Sequence, residues 1–276
     1  MDICSKKPSE VSMKQTLHGL YNQGATCYLN SILQILFRTT EIHDRLCTKP
    51  EQIDNELRKI FNLLREETCG TEAITKILEI TNVHEQRDAA ECLEMILCKI
   101  SSPVSEVFQG ELTYTTKCSN GHSINEETNP FWTLPLSLRN THDKTYNVGN
   151  SYTCFFEPKS FSGDNMVYCN KCNEKTEAKS VCNMRKFPQI LTLLLKRFDF
   201  DYDKMSHFKS DCCVDVPIKL PQLENQNNNY ELYGIVNHMG SLRGGHYTAT
   251  ILSNDSWLKD NHLQKAISMS MFDISH

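Results

Sequence analysis

The sequence predicts an α+β fold, a helical first third followed by a mostly antiparallel β region. Three observations carry this expectation. Apolar residues recur at helical spacing from Leu29 to about residue 103. From Phe108 onward they gather instead into short strand-like runs separated by Gly, Asn and Asp. A chain of 276 residues, 39% of them hydrophobic, can bury a sizeable core as one large domain or two joined subdomains.

The elements follow in order. Residues 1–16 form a polar leader. The stretch "LHGLYNQGATCYLNSILQILF", Leu17 to Phe37, then sets Leu29, Ile32, Leu33 and Leu36 on one helical face, with Cys27 just ahead of it. "IDNELRKIFNLLREE" and "DAAECLEMILCKI" keep the helical period. The runs "GELTYTTKC", "FWTLPLSL", "KFPQILTLLLKRF", "YELYGIVNHMG" and "HYTATILS" read as strands. Between them, "RNTHDKTYNVGNSYT" reads as a polar excursion and the Asn-rich "LPQLENQNNNYEL" as a surface connection. No internal repeat is present.

Composition narrows the function. The net charge of −5 comes from mixed signs spread along the chain, without the basic stripe that would bind phosphates, so nucleic acid is not an expected partner. No run approaches the roughly 18 apolar residues of a membrane span, and "MDICSKKPSE" is polar where a signal peptide is apolar, so no membrane is expected either. The chain reads as cytosolic or nuclear. Thirteen cysteines are an odd number at irregular spacing, which favours reduced thiols and a metal site over a disulfide framework.

Cys27 stands where a helix begins, and a helix N-terminus favours the thiolate, the nucleophilic form of cysteine. Gly24 and Ala25 leave the preceding turn uncluttered for an approaching carbonyl, and Asn22 could offer its amide to an oxyanion beside the sulfur. The alternative is a small buried hydrophobe. A thiol nucleophile needs a base. Among ten histidines, His246 is set apart from His238 and His122 by Gly244 and Gly245 before it, which let another backbone pass close.

These residues lie in stretches that resemble a known family. "GLYNQGATCYLNSILQ" is similar to the cysteine box of the ubiquitin-specific proteases, and "YELYGIVNHMGSLRGGHYTA" to their histidine box. "EQRDAAECLEMIL" resembles the family's Gln-Gln-Asp motif, "FQGELTYTTKC" the entry to its fingers, and "LTLLLKRFDFD" its Leu-Lys-Arg-Phe strand. The resemblance spans residues 17–263 and implies a papain-like catalytic domain, with a helical thumb over about 17–107 and antiparallel β fingers and palm over about 108–263. Residues 264–276 are an atypical tail.

The resemblance also implies roles. Cys27 would be the nucleophile, His246 the base and Asn22 the oxyanion donor. Asp88 would hold the arginine-bearing tail of ubiquitin, a bidentate pairing that suits a carboxylate, although "RDAAECL" equally reads as a helix N-cap. Gln23, Gly244 and Gly245 would line the substrate path. The family's His-orienting Asp or Asn follows a Trp in a Trp-x-x-Phe-Asp/Asn-Asp run. Here "SWLKDNHLQK" lacks the Phe, so direct counting from Trp257 selects Asn261 while a short deletion selects Asp260. The fingers' metal-binding Cys pairs are half altered: Cys169 and Cys172 form one, but the other reads Cys118-Ser-Asn-Gly-His122. A structural zinc on Cys118, His122, Cys169 and Cys172 is one outcome, and a knuckle pair without metal the other. Catalysis itself would need no cofactor. The implied partners are ubiquitin, or a ubiquitin-like modifier, and proteins carrying it; the implied activity is hydrolysis after the modifier's Gly-Gly end, with a catalytically weak or inactive binder as alternative.

Overall fold

The computed structural model describes residues 18–47, 50–138, 145–202, 205–223, 229–241, 244–253 and 256–259. Five helices come first: α1 (Cys27–Arg38), α2 (Gln52–Leu63), α3 (Glu72–Ile77), α4 (Ala89–Lys99) and the short α5 (Ser102–Ser105). Leu29, Ile32, Leu33 and Leu36 of α1 are all buried. So are Tyr28, Asn30, Ser31 and Gln34 on its other sides, because α1 runs through the interior between α4 and the strands that close the molecule. Three of its buried side chains donate locally. Asn30 donates to the carbonyls of Leu20 and Tyr21, Gln34 to that of His18, and Ser31 to that of Cys27. The helix thereby fixes the loop that leads into it.

Helices α2 and α4 are held by side chains at their starts. Asp88 caps α4, its carboxylate accepting from the N–H groups of Ala90 and Glu91. Asp54, in the first turn of α2 and fully buried, accepts from the N–H of Glu51 and from both the N–H and hydroxyl of Ser101, the residue that opens α5. One carboxylate thus ties the start of α2 to the α4–α5 junction.

Strands begin with β1 (Gly110–Cys118), β2 (Ser123–Phe131), β3 (Thr133–Ser137) and β4 (Thr145–Asn147), after which α6 (Val148–Phe155) interrupts. Then come β5 (Lys159–Phe161), β6 (Val167–Cys169), β7 (Glu174–Thr176), β8 (Ala178–Lys186) and β9 (Thr192–Lys196). The last are β10 (Phe198–Asp201), β11 (Ser206–Lys209), β12 (Cys213–Asp215), β13 (Gly234–Ser241), β14 (Gly244–Ser253) and β15 (Ser256–Lys259). A sheet of order β2-β1-β8-β5 forms a long antiparallel arm with the small β6–β7 hairpin at its tip. The sheet β13-β14-β15 lies against α1. Most pairings are antiparallel, as the strand alternation predicts, and β3–β9 and β4–β12 are the parallel exceptions among the described residues. The fold class is α+β.

One segment departs from expectation. The polar excursion "RNTHDKTYNVGNSYT" was expected to be a connection without structure, yet Thr145–Asn147 form β4 and the residues after them form α6. The reason is local. Asn147 caps α6 by accepting from the N–H of Asn150, and Tyr146, Val148 and Tyr152, scattered among polar residues, all enter the core. Residues 139–144 of that stretch, residues 224–228 of the Asn-rich connection and the tail 264–276 lie outside the described residues.

Asp54→Ala should lower stability by about 2–3 kcal/mol, since it leaves the buried Ser101 N–H and hydroxyl without an acceptor. Asp54→Asn, which retains one acceptor oxygen, should lose less. Denaturant unfolding of the three proteins reads the difference, and equal midpoints would show that the carboxylate does not hold α2 to α5.

Candidate active site

The loop before α1 is tightly specified. The Asn22 side-chain oxygen accepts from the N–H of Gly24 (3.2 Å), the N–H of Thr26 (3.0 Å) and the Thr26 hydroxyl (3.1 Å). The N–H of Ala25 donates to the Val83 carbonyl at 2.7 Å. At Gly24 the backbone takes a φ of +143°, and a Cβ there would stand 2.5 Å from His84 Nδ1. Only glycine fits such a position without displacing its neighbour.

Cys27 is the first residue of α1 and is 6% exposed. Its sulfur meets the N–H of Tyr247 at 3.4 Å and the Gln86 amide nitrogen at 3.9 Å. Position at a helix start predicts a depressed thiol pKa, but the structure reverses the sign. Burial pushes the Cys27 thiol above its ordinary value, and the donors from Tyr247, from the helix start and from Gln86 offset this only in part. At neutral pH the sulfur is therefore a thiol.

His246 precedes Tyr247 on β14, so the strand that carries it is the strand touching the sulfur. Its side chain is partly exposed. The competing histidines are otherwise engaged. His238, on β13 and 5% exposed, accepts at Nδ1 from the Lys209 ammonium (3.0 Å) and packs its ring on Tyr247. Burial, with Lys209 and His246 nearby, brings its pKa down to about 4, which keeps it neutral. His122 lies in the cysteine cluster at the tip of the arm.

Gly245 shows why the His246 strand begins with glycine. A Cβ on it would stand 2.3 Å from the Met239 carbonyl and 2.4 Å from His238 Nε2. Gly244 has open space around it. On its backbone side Gly245 is gripped by Gln86, whose amide oxygen accepts from the Gly245 N–H (2.7 Å) and whose nitrogen donates to the Gly245 carbonyl (2.9 Å).

Two residues take work different from that expected of substrate contacts. Gln23 donates to the Thr71 hydroxyl at 2.8 Å and accepts from that of Thr75, so its side chain fastens the loop to α3. Asp88, for which the sequence left two roles open, is 1% exposed; besides capping α4 it accepts from the Tyr247 hydroxyl at 3.2 Å. Its carboxylate faces the protein, and burial raises the Tyr247 phenol pKa. Asp260 and Asn261 lie outside the described residues. Gln86, Tyr247 and Lys209 were missed by sequence reasoning. All three fall inside or beside the quoted motifs, but only folding sets them next to Cys27, Asp88 and His238.

At the arm's tip, Cys118, His122, Cys169 and Cys172 bring their ligand atoms within 4.8 Å of one another. Two tight turns present them, with Gly121 (φ +80°) in one and Asn173 (φ +58°) in the other. The sulfurs of Cys118 and Cys172 are 3.9 Å apart, and His122 Nδ1 lies 3.3 Å from Cys172 and 3.9 Å from Cys169. Thiolates on a tetrahedral ion with ~2.3 Å bonds stand ~3.8 Å apart, so the cluster has the dimensions of a metal site. Backbone N–H groups of Cys172 and Lys171 also bring the Cys169 thiol down to about 6, toward the form a metal binds.

The comparisons agree with this geometry. The family model "Ubiquitin carboxyl-terminal hydrolase" matches residues 18–270. Mouse ubiquitin carboxyl-terminal hydrolase 40 is 26% identical over 87% of this chain and 22% of its own length, and Drosophila melanogaster ubiquitin carboxyl-terminal hydrolase 47 is 27% identical over 94% and 18%. The chain thus spans about a fifth of the length of these relatives. A solved chain of the SAGA Ubp8/Sgf11/Sus1/Sgf73 DUB module bound to ubiquitin aldehyde superposes with a TM-score of 0.72 and 25% identity, covering 91% of this chain and 66% of that one. Fold, motifs and family model coincide: the chain belongs to the ubiquitin carboxyl-terminal hydrolase family, as one of the ubiquitin-specific proteases that its motifs resemble.

Proposed function

We propose that the chain is a cysteine deubiquitinase that hydrolyses the peptide or isopeptide bond after the Gly-Gly end of ubiquitin. The observation that carries this reading is the contact of Cys27 Sγ with the backbone of the His246-bearing strand at the start of α1. In this reading His246 removes the Cys27 proton as sulfur attacks the Gly carbonyl carbon, and the carbonyl electron pair moves to oxygen. Asn22 has its side-chain oxygen committed to the loop, which leaves the amide N–H₂ to meet that oxyanion together with backbone N–H groups at the helix start. His246 then gives its proton to the leaving amine. Water, activated by the same imidazole, cleaves the thioester and restores the thiol. Asp88 serves as a positioning residue, holding Tyr247 and hence the N–H that faces sulfur.

Ubiquitin is the modifier of choice because the superposing SAGA module was solved with ubiquitin aldehyde, and proteins carrying ubiquitin are the corresponding substrates. Ubiquitin-like modifiers with the same Gly-Gly end are the nearest competitors. For the arm's tip the proposed ion is zinc, since three thiols and an imidazole make a closed tetrahedral set with a structural role. The described cysteines are free thiols, which suits a reducing compartment, the cytosol or nucleus.

Cys27→Ala should abolish release of a fluorophore from the ubiquitin C-terminus and retain ubiquitin binding, and His246→Ala should fall by at least about a hundredfold. Activity equal to the parent in either variant would remove that residue from the mechanism.

For the third catalytic residue, β15 runs antiparallel to β14, and its last residue Lys259 lies opposite Thr250 on the strand that carries His246. Asn261→Ala should lower kcat far more than it raises KM, the pattern of an interaction made in the transition state, with Asp260→Ala the milder change. The reverse order of the two would assign the role to Asp260.

The purified protein should carry about one zinc per chain, and Cys169→Ser should lower both metal content and melting temperature. A metal-free protein of equal stability would leave the cluster as strand-held knuckles.

A further inference from the structure

His246 stands near a hairpin end built of glycine. Strands β13 and β14 run in register there, with Gly240 opposite Gly245, Met239 opposite His246 and His238 opposite Tyr247. Gly240 takes a φ of +116°, and a Cβ on it would stand 2.6 Å from Gly245 Cα. Glycines let the two backbones approach but bring no side chain that could hold them in place. On the β13 side the hold comes from a different hairpin.

Lys209 ends β11, opposite Phe198 of β10. Its ammonium donates to the Gly240 carbonyl (2.8 Å), the His238 carbonyl (3.3 Å) and His238 Nδ1 (3.0 Å). An ammonium has three N–H donors, so all of them are spent on β13. Backbone groups alternate in direction along a strand, and the carbonyls of His238 and Gly240 turned to Lys209 leave those of Met239 turned to β14, where His246 lies opposite. Lys209 thus grips the residues on either side of the partner of His246. The third bond fixes a ring as well. An ammonium cannot accept, so Nδ1 of His238 does, and the neutral ring carries its proton on Nε2. That nitrogen lies against Gly245, 2.4 Å from where a Cβ would stand. The ring is wedged between Phe198 and Tyr247, with centroids 5.7 and 4.6 Å away. Lys209 thereby reaches all three residues around the base, His238 and Gly240 directly and Gly245 through the His238 ring.

We propose that Lys209 is a positioning residue of the reaction: through His238 and Gly240 it sets the place of His246 on β14. The proposal rests on the deubiquitinase reading above. Its test uses the full chain, a fluorogenic ubiquitin C-terminal substrate, and two variants. Lys209→Met keeps the stem and removes the three donors; Lys209→Arg keeps donors and charge. Misplacing reacting groups by about 1 Å can cost about a hundredfold in rate, so Lys209→Met should lower kcat at least about tenfold and leave KM within about twofold. Lys209→Arg should recover part of that loss. Nitrogen NMR of the imidazoles, without substrate, reads the clamp directly: His238 should carry its proton on Nε2 in the parent and lose that preference in Lys209→Met. An unchanged kcat in Lys209→Met, or a loss that lies in KM, would overturn the proposal. So would a parent His238 protonated on Nδ1, a result that does not depend on how well the variants fold and that leaves the deubiquitinase reading standing. A parent that releases no fluorophore would remove that reading, and the proposal with it.

Discussion

The hydrogen bond from the Tyr247 hydroxyl to the Asp88 carboxylate is the joint on which the site depends. It joins β14, late in the chain, to the first turn of α4, and both side chains are buried. A buried bond to an ionised acceptor is worth about 1.5–3 kcal/mol, and its loss strands a carboxylate away from water. Asp88 also caps α4, so the helix start, the tyrosine ring and the N–H facing Cys27 share one fixed point. The neighbouring contacts repeat this arrangement. Lys209 holds His238, whose ring packs on Tyr247, and Asn22 holds the turn that delivers Cys27. Cys27 and the strand that carries His246 are brought together by backbone segments that polar side chains hold, Asp88 buried and Asn22 exposed.

That construction also accounts for the direction in which the Cys27 thiol is shifted, above its ordinary value. Excluding water from Cys27 strengthens every later electrostatic interaction there but disfavours a bare thiolate. The donors around sulfur are too few and, in the case of Gln86 at 3.9 Å, too distant to reverse the balance. His238, whose pKa is brought down to about 4, is neutral beside His246.

Much of this was legible in the sequence, for identifiable reasons. The α+β division follows from a change of period that any packing must respect, and Leu29, Ile32, Leu33 and Leu36 are core residues because their spacing leaves them no other face. The cysteine and histidine boxes were legible through local composition, since glycines beside a polar turn mark close backbone approach, and Gly24 and Gly245 have no room for a side chain. The rest depends on distance in space. Nothing near Asp88 in sequence reveals that Tyr247 will claim its second oxygen, and the pull of burial on Cys27 is a property of everything packed around it. α6 was hidden because Tyr146, Val148 and Tyr152 are diluted among polar residues and carry no visible period.

Gln86 shows how the backbone of β14 is satisfied where no strand pairs with it among the described residues. A strand edge left bare exposes backbone groups that attract any extended chain, and proteins usually cover such edges. Here a side-chain amide satisfies both backbone groups of Gly245 in place of a strand. Glutamine suits the task, having one donor and one acceptor end on a single plane, and a stem long enough to cross from the α4 side to β14. Asparagine would be a methylene shorter, and a carboxylate would repel the Gly245 carbonyl it must face. At this position the side chain that most resembles a peptide group thus takes the place of one.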